Sequence, residues 1–273
     1  MQVVTGTEEV TASVDDGLLV VVLNRPEVRN ALSLAMLEGL ASVLEAAAER
    51  REVRALVLSG AGGAFCAGGD VAMMAAGRSI FGAAEDPVGR AAVQADLQRR
   101  TVVRLRDLGK PTVAMITGPA VGAGLALALA CDVRYAARSA VLMSGFGRVG
   151  LAGDFGCSWL LHDLVGRSVA RELLFSSEAV AADLAQERGL VNGVHPDDDL
   201  EEQTLRAARR FARVSEPAAA VMLETSALSP SLSFADACDR DAVEHVRLTG
   251  TPEHRALVQA LAGRGRAGKR AAR

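Results

Sequence analysis

Residues 55–70 have the sequence ALVLSGAGGAFCAGGD, which is an apolar strand followed by a loop composed mostly of glycine and alanine. Residues 112–130, TVAMITGPAVGAGLALALA, repeat this order: the strand Thr112–Ile116, the Gly-rich loop Gly118–Gly124 and an Ala/Leu helix. A helical pattern, Gly89–Leu108, lies between the two segments. Strands that alternate with helices predict an α/β fold in which parallel strands are joined by helical crossovers.

The chain before these segments predicts a hairpin and a helix. Two β-rich runs, Val10–Val14 and Leu18–Leu23, flank an Asp-Asp-Gly turn. Apolar side chains then recur with a helical period over Leu32–Arg50, and Ser33 is placed to cap the first turn of that helix.

From residue 155 onward the pattern is almost entirely helical. The predicted helices are Phe155–Val165, Ser168–Phe175, Ala181–Arg188, Leu200–Val214, Pro217–Leu228, Leu232–Leu248 and Pro252–Ala262. Helices with exposed Ala/Leu faces often dock on a neighbouring subunit, so we expect a homo-oligomer. Residues 263–273 are rich in arginine and lysine and are predicted to form a basic, flexible tail.

The composition is that of a globular protein with little net charge. Half of the 273 residues are hydrophobic, and 30 Lys+Arg against 33 Asp+Glu give a net charge of −3. This balance predicts no nucleic-acid partner and no membrane surface partner. The most apolar run, Ile116–Val133, contains Pro119 and Asp132, so we interpret it as buried core rather than as a membrane span.

The cysteines and the first residues favour a reduced, cytoplasmic setting. Cys66, Cys131, Cys157 and Cys238 are unevenly spaced and form no C-x-x-C pair, which argues against a disulfide framework and a zinc site. The first residues lack the basic segment and apolar stretch of a secretory signal. The histidines have no ligand spacing, so no metal is expected.

Both Gly-rich loops could bind an anion. Glycine lets the backbone N–H groups approach a ligand closely, and the second loop leads directly into a helix, whose first N–H groups have no partner within the helix. Two such loops could direct two donors at one oxygen atom. The alternative is that the glycines only permit tight turns and close packing. A third cluster, Gly145–Gly150, matches G-x-G-x-x-G, but the chain continues as a loop there, which argues against a dinucleotide site.

Several motifs, in this order along the chain, resemble those of the enoyl-CoA hydratase/isomerase family, also called the crotonase family. They are LNRPEVRNAL at 23–32, AFCAGGD at 64–70, KPTVA at 110–114, Gly118 with GAG at 122–124, Cys131-Asp132, Gly150-Leu151 and the segment 182–191. The resemblance covers residues 10–260. It implies a spiral of ββα units in a core of residues 1–200, a helical trimerisation region at 201–262, and a homotrimer or a dimer of trimers.

The resemblance also implies an acyl-CoA thioester as substrate, with its enolate stabilised by the backbone N–H groups of Gly69 and Ala123. No metal or separate cofactor is implied, because CoA is part of the substrate. The residues implied to contact the substrate are Arg25, Val28, Ala67, Gly68, Asp70, Val71, Gly122 and Phe146.

The sequence departs from the hydratases of the family at the two glutamates that position water. Ala126 and Phe146 stand at those places, and neither side chain can transfer a proton. One carboxylate remains in register, Asp154. Its position resembles that of the aspartate in the single-carboxylate isomerases, including those that act on ring-epoxidised phenylacetyl-CoA. If Phe146 and Phe155 pack around it, they should raise its pKa.

Other roles for these residues stay open. Asp154 could instead cap the following helix. It could also be the nucleophile of an aryl-CoA dehalogenase, with Trp159 or His162 as partner. Glu85-Asp86 could supply a second acid or base, and Cys66 and Cys157 are interpreted as packing residues.

The leading prediction is therefore an enoyl-CoA isomerase in which Asp154 is the single acid and base. One alternative is hydration of a specialised acyl-CoA. Another is a catalytically silent acyl-CoA-binding protein.

Overall fold

The computed structural model describes residues 1–83 and 85–271, with side chains up to residue 262. It divides into two compact units, Met1–Ala212 and Arg213–Arg273. The side chains of the predicted basic tail, residues 263–273, lie outside the described part of the chain.

A parallel sheet with one antiparallel edge forms the centre of the first unit. In the described residues it has six strands, in the spatial order β1, β2, β3, β4, β6 and β9. These are β1 Val10–Asp15, β2 Leu18–Leu23, β3 Ala55–Gly60, β4 Thr112–Ile116, β6 Val133–Ala137 and β9 Gly193–His195. β1 and β2 form the predicted hairpin, and every later pair in this sheet is parallel. The α/β class is confirmed.

A smaller sheet lies beside the main one. It consists of β5 Ala120–Val121, β7 Val141–Met143 and β8 Val180–Ala181. The backbone of Cys66 forms a parallel bridge with Ala120, so this sheet begins where the two Gly-rich loops meet.

Helices surround the sheets of the first unit. They are α1 Leu34–Glu49, α2 Val71–Ala75, α3 Pro87–Gln98, α4 Arg104–Arg106, α5 Ala123–Ala130, α6 Cys157–Ser176, α7 Ala182–Glu187 and α8 Leu200–Ala212. Ser33 caps α1 as predicted, because its hydroxyl accepts from the Met36 N–H at 3.0 Å. α8 packs against β3 and β4 and so belongs to this unit. The apolar run Ile116–Val133 extends from the end of β4 to the start of β6, and the part that forms α5 is entirely buried. No helix in the described residues is long and apolar enough to cross a membrane.

Most predicted helix ends shift by one or two residues, and two predicted regions of the first unit differ in more than that. The predicted helix Gly89–Leu108 begins at Pro87 and passes through a π-helical segment, Arg99–Val103, before α4. The two helices predicted within residues 155–175 are joined as α6, with a kink at Gly166, whose φ of 72° and ψ of 171° are not helical.

Lys110 and Asp132, two polar residues of the motifs that resemble the family, form hydrogen bonds with backbone groups of neighbouring elements. Lys110 Nζ donates to the carbonyls of Ala47 and Arg50, both at 2.6 Å, at the C-terminal end of α1. Asp132 Oδ2 accepts from the N–H and the hydroxyl of Thr112, both at 2.8 Å, and so ties the start of β6 to β4. These motif residues therefore stabilise the fold.

Asn30 organises the first Gly-rich loop. It is fully buried, and its Nδ2 donates to the carbonyls of Ala61 and Ala64, both at 2.9 Å, and of Phe65 at 3.3 Å. Its Oδ1 accepts from the Arg25 N–H at 2.8 Å. One side chain thus satisfies several loop carbonyls that face the protein interior, where an unpaired polar group is costly.

The second unit contains α9 Glu216–Leu228, α10 Phe234–Thr249 and α11 Pro252–Ala271. Arg240 of α10 forms an ion pair with Glu224 of α9 at 2.9 Å. Phe234, Val243 and Val246 of α10 are exposed apolar side chains. The role of this unit in oligomerisation stays a prediction.

The substitution Asn30→Asp should lower the free energy of unfolding by about 2–4 kcal/mol, because a carboxylate oxygen would face the loop carbonyls without a donor. Urea unfolding measures this. Asn192→Asp is the matched control, since Asn192 is exposed and uses its Oδ1 as an acceptor from the Arg134 N–H at 2.9 Å. Equal stability of both variants would contradict the role given to Asn30.

Candidate active site

A cavity of about 760 Å³ lies where the two Gly-rich loops meet. Gly69 and Ala123 contribute backbone to its wall, α3 contributes Arg90 and Gln94, and Asp154 lies on the segment before α6. The larger apolar side chains of the lining are Leu32, Val71, Met73, Met74, Ile80, Phe81, Phe146, Val149, Leu151 and Phe155. The cavity is therefore a mostly apolar pocket with a few polar groups, the usual form of a small-molecule site.

Close backbone packing holds the two loops together. The Val121 N–H donates to the Cys66 carbonyl at 2.9 Å. A Cβ atom on Gly124 would lie 2.2 Å from the Cys66 carbonyl oxygen, and one on Gly118 would lie 2.0 Å from the Gly63 carbonyl oxygen. Only glycine fits at these two positions.

The Gly69 N–H is oriented by the peptide before it. The Leu32 N–H donates to the Gly68 carbonyl at 2.7 Å. Because a trans peptide is planar, the Gly69 N–H points in the direction opposite to that carbonyl. No acceptor for it occurs among the described residues, so this donor is available to a ligand in the cavity.

The Ala123 N–H is oriented in the same way by the first turn of α5. The Ala126 N–H donates to the Gly122 carbonyl at 3.0 Å, so the Ala123 N–H points outward from the N-terminal end of the helix. A Cβ on Gly68 would lie 3.3 Å from the Ala123 nitrogen, which places the two donor peptides side by side. The described residues supply no acceptor for this donor either.

Asp154 is a half-buried carboxylate with one oxygen held and one unpartnered. Gln94 Nε2 donates to Oδ2 at 3.2 Å, whereas Oδ1 is buried and has no hydrogen-bond partner in the described structure. Burial raises the pKa of Asp154 from 3.8 to about 6. A carboxyl group with a pKa near neutrality can both accept and return a proton.

The backbone around Asp154 is unusual. Gly153, Phe155 and Gly156 have φ angles of 123°, 49° and 71°. A positive φ is rare for a residue as large as phenylalanine, and the fully buried ring of Phe155 anchors this conformation in the core. α6 consequently begins at Cys157 instead of Phe155, and Gly156 is its N-cap. The alternative in which the Asp154 carboxylate caps the helix is therefore wrong.

The structure separates the residues predicted to contact substrate into two groups. Gly69, Asp70, Val71, Ala123, Phe146 and Asp154 line the cavity, and Asp70 Oδ1 also accepts from the Met73 N–H at 3.0 Å. The predicted contacts that lie outside the lining are Arg25, Val28, Ala67, Gly68 and Gly122. Arg25 Nη1 donates to the Ala31 carbonyl at 2.6 Å, whereas Gly68 and Gly122 supply the carbonyls that orient the two donors.

The two positions that carry glutamates in the hydratases differ in location. Phe146 faces the cavity, whereas Ala126 is fully buried within α5 and is not part of the lining.

The remaining candidates lie outside the lining of this cavity, although Trp159 lines an adjoining pocket with Gln94 and Asp154. Asp86 accepts from the Gly89 N–H at 2.8 Å as the N-cap of α3, and both Glu85 and Asp86 are exposed. Trp159 is exposed, with the Arg106 guanidinium 4.5 Å from its ring centroid. His162 Nδ1 lies 2.7 Å from the Ser158 carbonyl oxygen.

The buried cysteines are poor nucleophiles. Burial raises the pKa of both Cys66 and Cys157 to about 12, so both thiols stay protonated at neutral pH. No cluster of three or more His, Cys, Asp or Glu side chains suited to a metal ion occurs in the part of the chain that the structure describes.

Gln94 and Arg90 line the cavity, and sequence reasoning named neither as a site residue. They lie four positions apart on α3, so they share one face of that helix. The helical pattern of this segment was visible in the sequence, but which face meets the cavity depends on how α3 packs in the folded unit.

Comparison with known proteins identifies the family. A family model for enoyl-CoA hydratase/isomerase matches residues 13–252. A Rhodobacter capsulatus protein named "probable enoyl-CoA hydratase" is 38% identical over 81% of this chain and 80% of its own length. The 1,2-epoxyphenylacetyl-CoA isomerase of Escherichia coli is 34% identical over 75% of this chain and 76% of its own length.

A solved structure extends the similarity to the whole fold. The crystal structure of an enoyl-CoA hydratase from Polaromonas sp. JS666 superposes with a TM-score of 0.85 at 30% identity, and it covers 93% of this chain and 97% of that one. The chain belongs to the enoyl-CoA hydratase/isomerase family, and its fold is the crotonase fold with a helical C-terminal region.

Asp154→Asn should stabilise the protein at neutral pH. Between pH 3.8 and about 6, Asp154 is ionised in the unfolded chain but still protonated in the folded chain. The free energy of unfolding of the wild-type protein therefore falls as the pH rises through this window. The variant should therefore gain up to about 3 kcal/mol at pH 7.5 and about half of that at pH 5. Thermal unfolding at both pH values measures this. A pH-independent difference would show that the burial of charge is not the cause.

Proposed function

We propose that this protein is an enoyl-CoA isomerase in which Asp154 moves a proton between two carbons of the acyl group. The observation that carries the proposal is that the half-buried Asp154 carboxylate lines the same cavity as two backbone donors, for which the described residues supply no acceptor. Asp70, the other carboxylate in the lining, is engaged as the N-cap of α2.

The two donors would bind the thioester oxygen. Removal of a proton from the carbon next to the thioester, or from the carbon conjugated to it through the double bond, places negative charge on that oxygen. The Gly69 and Ala123 N–H groups are fixed before the substrate binds, so they need no reorganisation in the transition state. Each such donor lowers the barrier by roughly 3–4 kcal/mol.

Asp154 would act as base and then as acid. Its carboxylate removes a proton from one carbon, and the electron pair of the broken C–H bond delocalises onto the thioester oxygen as an enolate. The protonated carboxyl group then returns the proton to the carbon at the other end of the allylic system, and the double bond shifts. Asp154 ends the cycle ionised, and no water is consumed. The Gln94 hydrogen bond to Oδ2 would hold the carboxyl group in position during these steps.

A hydratase is the second candidate, because the Rhodobacter relative bears that name. In that reaction Asp154 alone would have to activate water. Phe146, a ring that can neither hold water nor transfer a proton, faces the cavity and favours the isomerase.

The assembly and cofactor requirements follow the family resemblance. We expect a homotrimer or a dimer of trimers, for which the exposed apolar side chains of α10 provide support. We expect no cofactor besides the CoA moiety of the substrate.

The decisive experiment is incubation with a panel of 2-enoyl-, 3-enoyl- and aryl-acyl-CoA thioesters in deuterated water, followed by mass spectrometry. We expect a shifted double bond or deuterium uptake without added water. Asp154→Asn should lower the rate at least about 100-fold, since general acid–base catalysis contributes about 10²–10⁴. The activity should rise with pH through about 6, because the base must be ionised.

Asp163→Asn is the matched control on α6, because its carboxylate pairs with Arg106 at the surface. A gain of one water would establish a hydratase. Binding without exchange or conversion would instead favour the silent acyl-CoA-binding protein.

Gly122→Ala tests the second donor. Gly122 has a φ of 56° and a ψ of −123°, which alanine adopts only with strain, although the added Cβ would meet Phe146 and the Ser144 carbonyl only at an ordinary contact distance of 3.7 Å. The loop should rotate and misdirect the Ala123 N–H, so that kcat falls about 10²–10³-fold. Gly109→Ala is the control, because Gly109 also has a positive φ, 72°, and lies outside the cavity lining. Equal kcat in the two variants would argue against this donor.

A further inference from the structure

We propose that the acyl group of the substrate carries a carboxylate at its far end, which Arg90 binds. This inference rests on the proposed function, since it takes the cavity as the acyl-CoA site. It adds a substrate class, the CoA thioesters of dicarboxylic acids.

Arg90 is a half-buried cation without a partner. It lines the cavity from the first turn of α3, and within the described residues it forms no ion pair and no side-chain hydrogen bond. Its stem packs near Gly82, where a Cβ would lie 3.6 Å from Arg90 Cγ. Met73, Ile80 and Phe81 supply apolar wall to the same cavity. A guanidinium in such surroundings is stabilised by an anion that pairs with it.

The helix geometry places Arg90 along the path of the acyl group. Arg90 and Gln94 lie on one face of α3, one turn apart, and Gln94 contacts the Asp154 carboxylate. Four residues of helix rise by roughly 6 Å. A substrate with its reactive carbons at Asp154 that extends toward the N-terminal end of α3 therefore passes Arg90.

The charges around Arg90 leave it available to the substrate. Asp86, one turn before it, accepts from the Gly89 N–H, and no ion pair joins Asp86 to Arg90. Asp70 accepts from the Met73 N–H. Burial is the cause of the raised pKa of Asp154, which has no arginine among its partners. Arg78, the other cation in the lining, is exposed. Arg90 thus has no anionic partner among the described residues.

The same guanidinium could instead bind a phosphate of CoA, so the test must separate the two anions. A phosphate contact affects every CoA thioester equally, as well as free CoA. A carboxylate contact affects only those thioesters whose acyl group ends in a carboxylate.

The experiment measures binding by calorimetry with matched saturated thioesters: glutaryl-CoA against pentanoyl-CoA, and adipyl-CoA against hexanoyl-CoA, with free CoA alongside. Saturated chains have no double bond to move, so the result does not depend on Asp154 chemistry. The wild-type protein should bind the dicarboxylic member of at least one pair about tenfold more tightly, as a charge-assisted bidentate contact allows.

Arg90→Met should abolish this preference and leave the binding of pentanoyl-CoA, hexanoyl-CoA and free CoA within about twofold. Arg99→Met is the matched control, because Arg99 is an exposed arginine that follows α3 and lies outside the cavity lining. Equal affinity of the wild-type protein for both members of each pair would overturn the proposal. So would an equal loss for all thioesters and free CoA in Arg90→Met, which would assign Arg90 to the phosphates. Neither outcome bears on whether Asp154 transfers a proton.

Discussion

The contact between the two Gly-rich loops is the constraint on which the site depends. The Cys66 carbonyl accepts from the Val121 N–H, and the backbone at Gly124 approaches it so closely that no side chain fits. The two donor peptides are thereby side by side, and Asn30 holds the first loop from behind through three carbonyls. Because the protein itself makes these contacts, the donors are preorganised for charge on an oxygen.

At Asp154, the burial that supports the proposed function lowers the stability of the fold. Its burial raises its pKa to about 6 and therefore destabilises the folded state at neutral pH. The positive φ of the neighbouring Phe155 adds backbone strain, which the buried ring offsets through packing. The rigid loops and the desolvated Asp154 carboxylate thus line one cavity. The loop contacts stabilise the fold and position the donors. The burial of Asp154 destabilises the fold, but it produces a carboxyl group that can transfer protons near neutral pH.

Much of this arrangement could be predicted because it depends on local physics. The hairpin, the strands β3 and β4, the Ser33 cap and both Gly-rich loops follow from alternation, helical periodicity and turn chemistry within a few residues. The motifs that resemble the family further predicted that the N–H groups of Gly69 and Ala123 act together and that Asp154 is the carboxylate of the site. The start of α6 was misplaced because the pattern gave no sign that Phe155 adopts a left-handed conformation, which its burial in the core imposes.

The sequence by itself determined the fold class, the two loops and the single carboxylate in place of the glutamates. Tertiary structure alone decided which groups meet. Gln94 contacts Asp154 across 60 positions of chain, and Arg90 shares its helix face, because α3 packs beside the segment before α6. Burial decided the pKa of Asp154 in the same way. The physical reason is that hydrogen bonding within a turn is local in sequence, whereas desolvation and side-chain contact depend on every element that packs around the group.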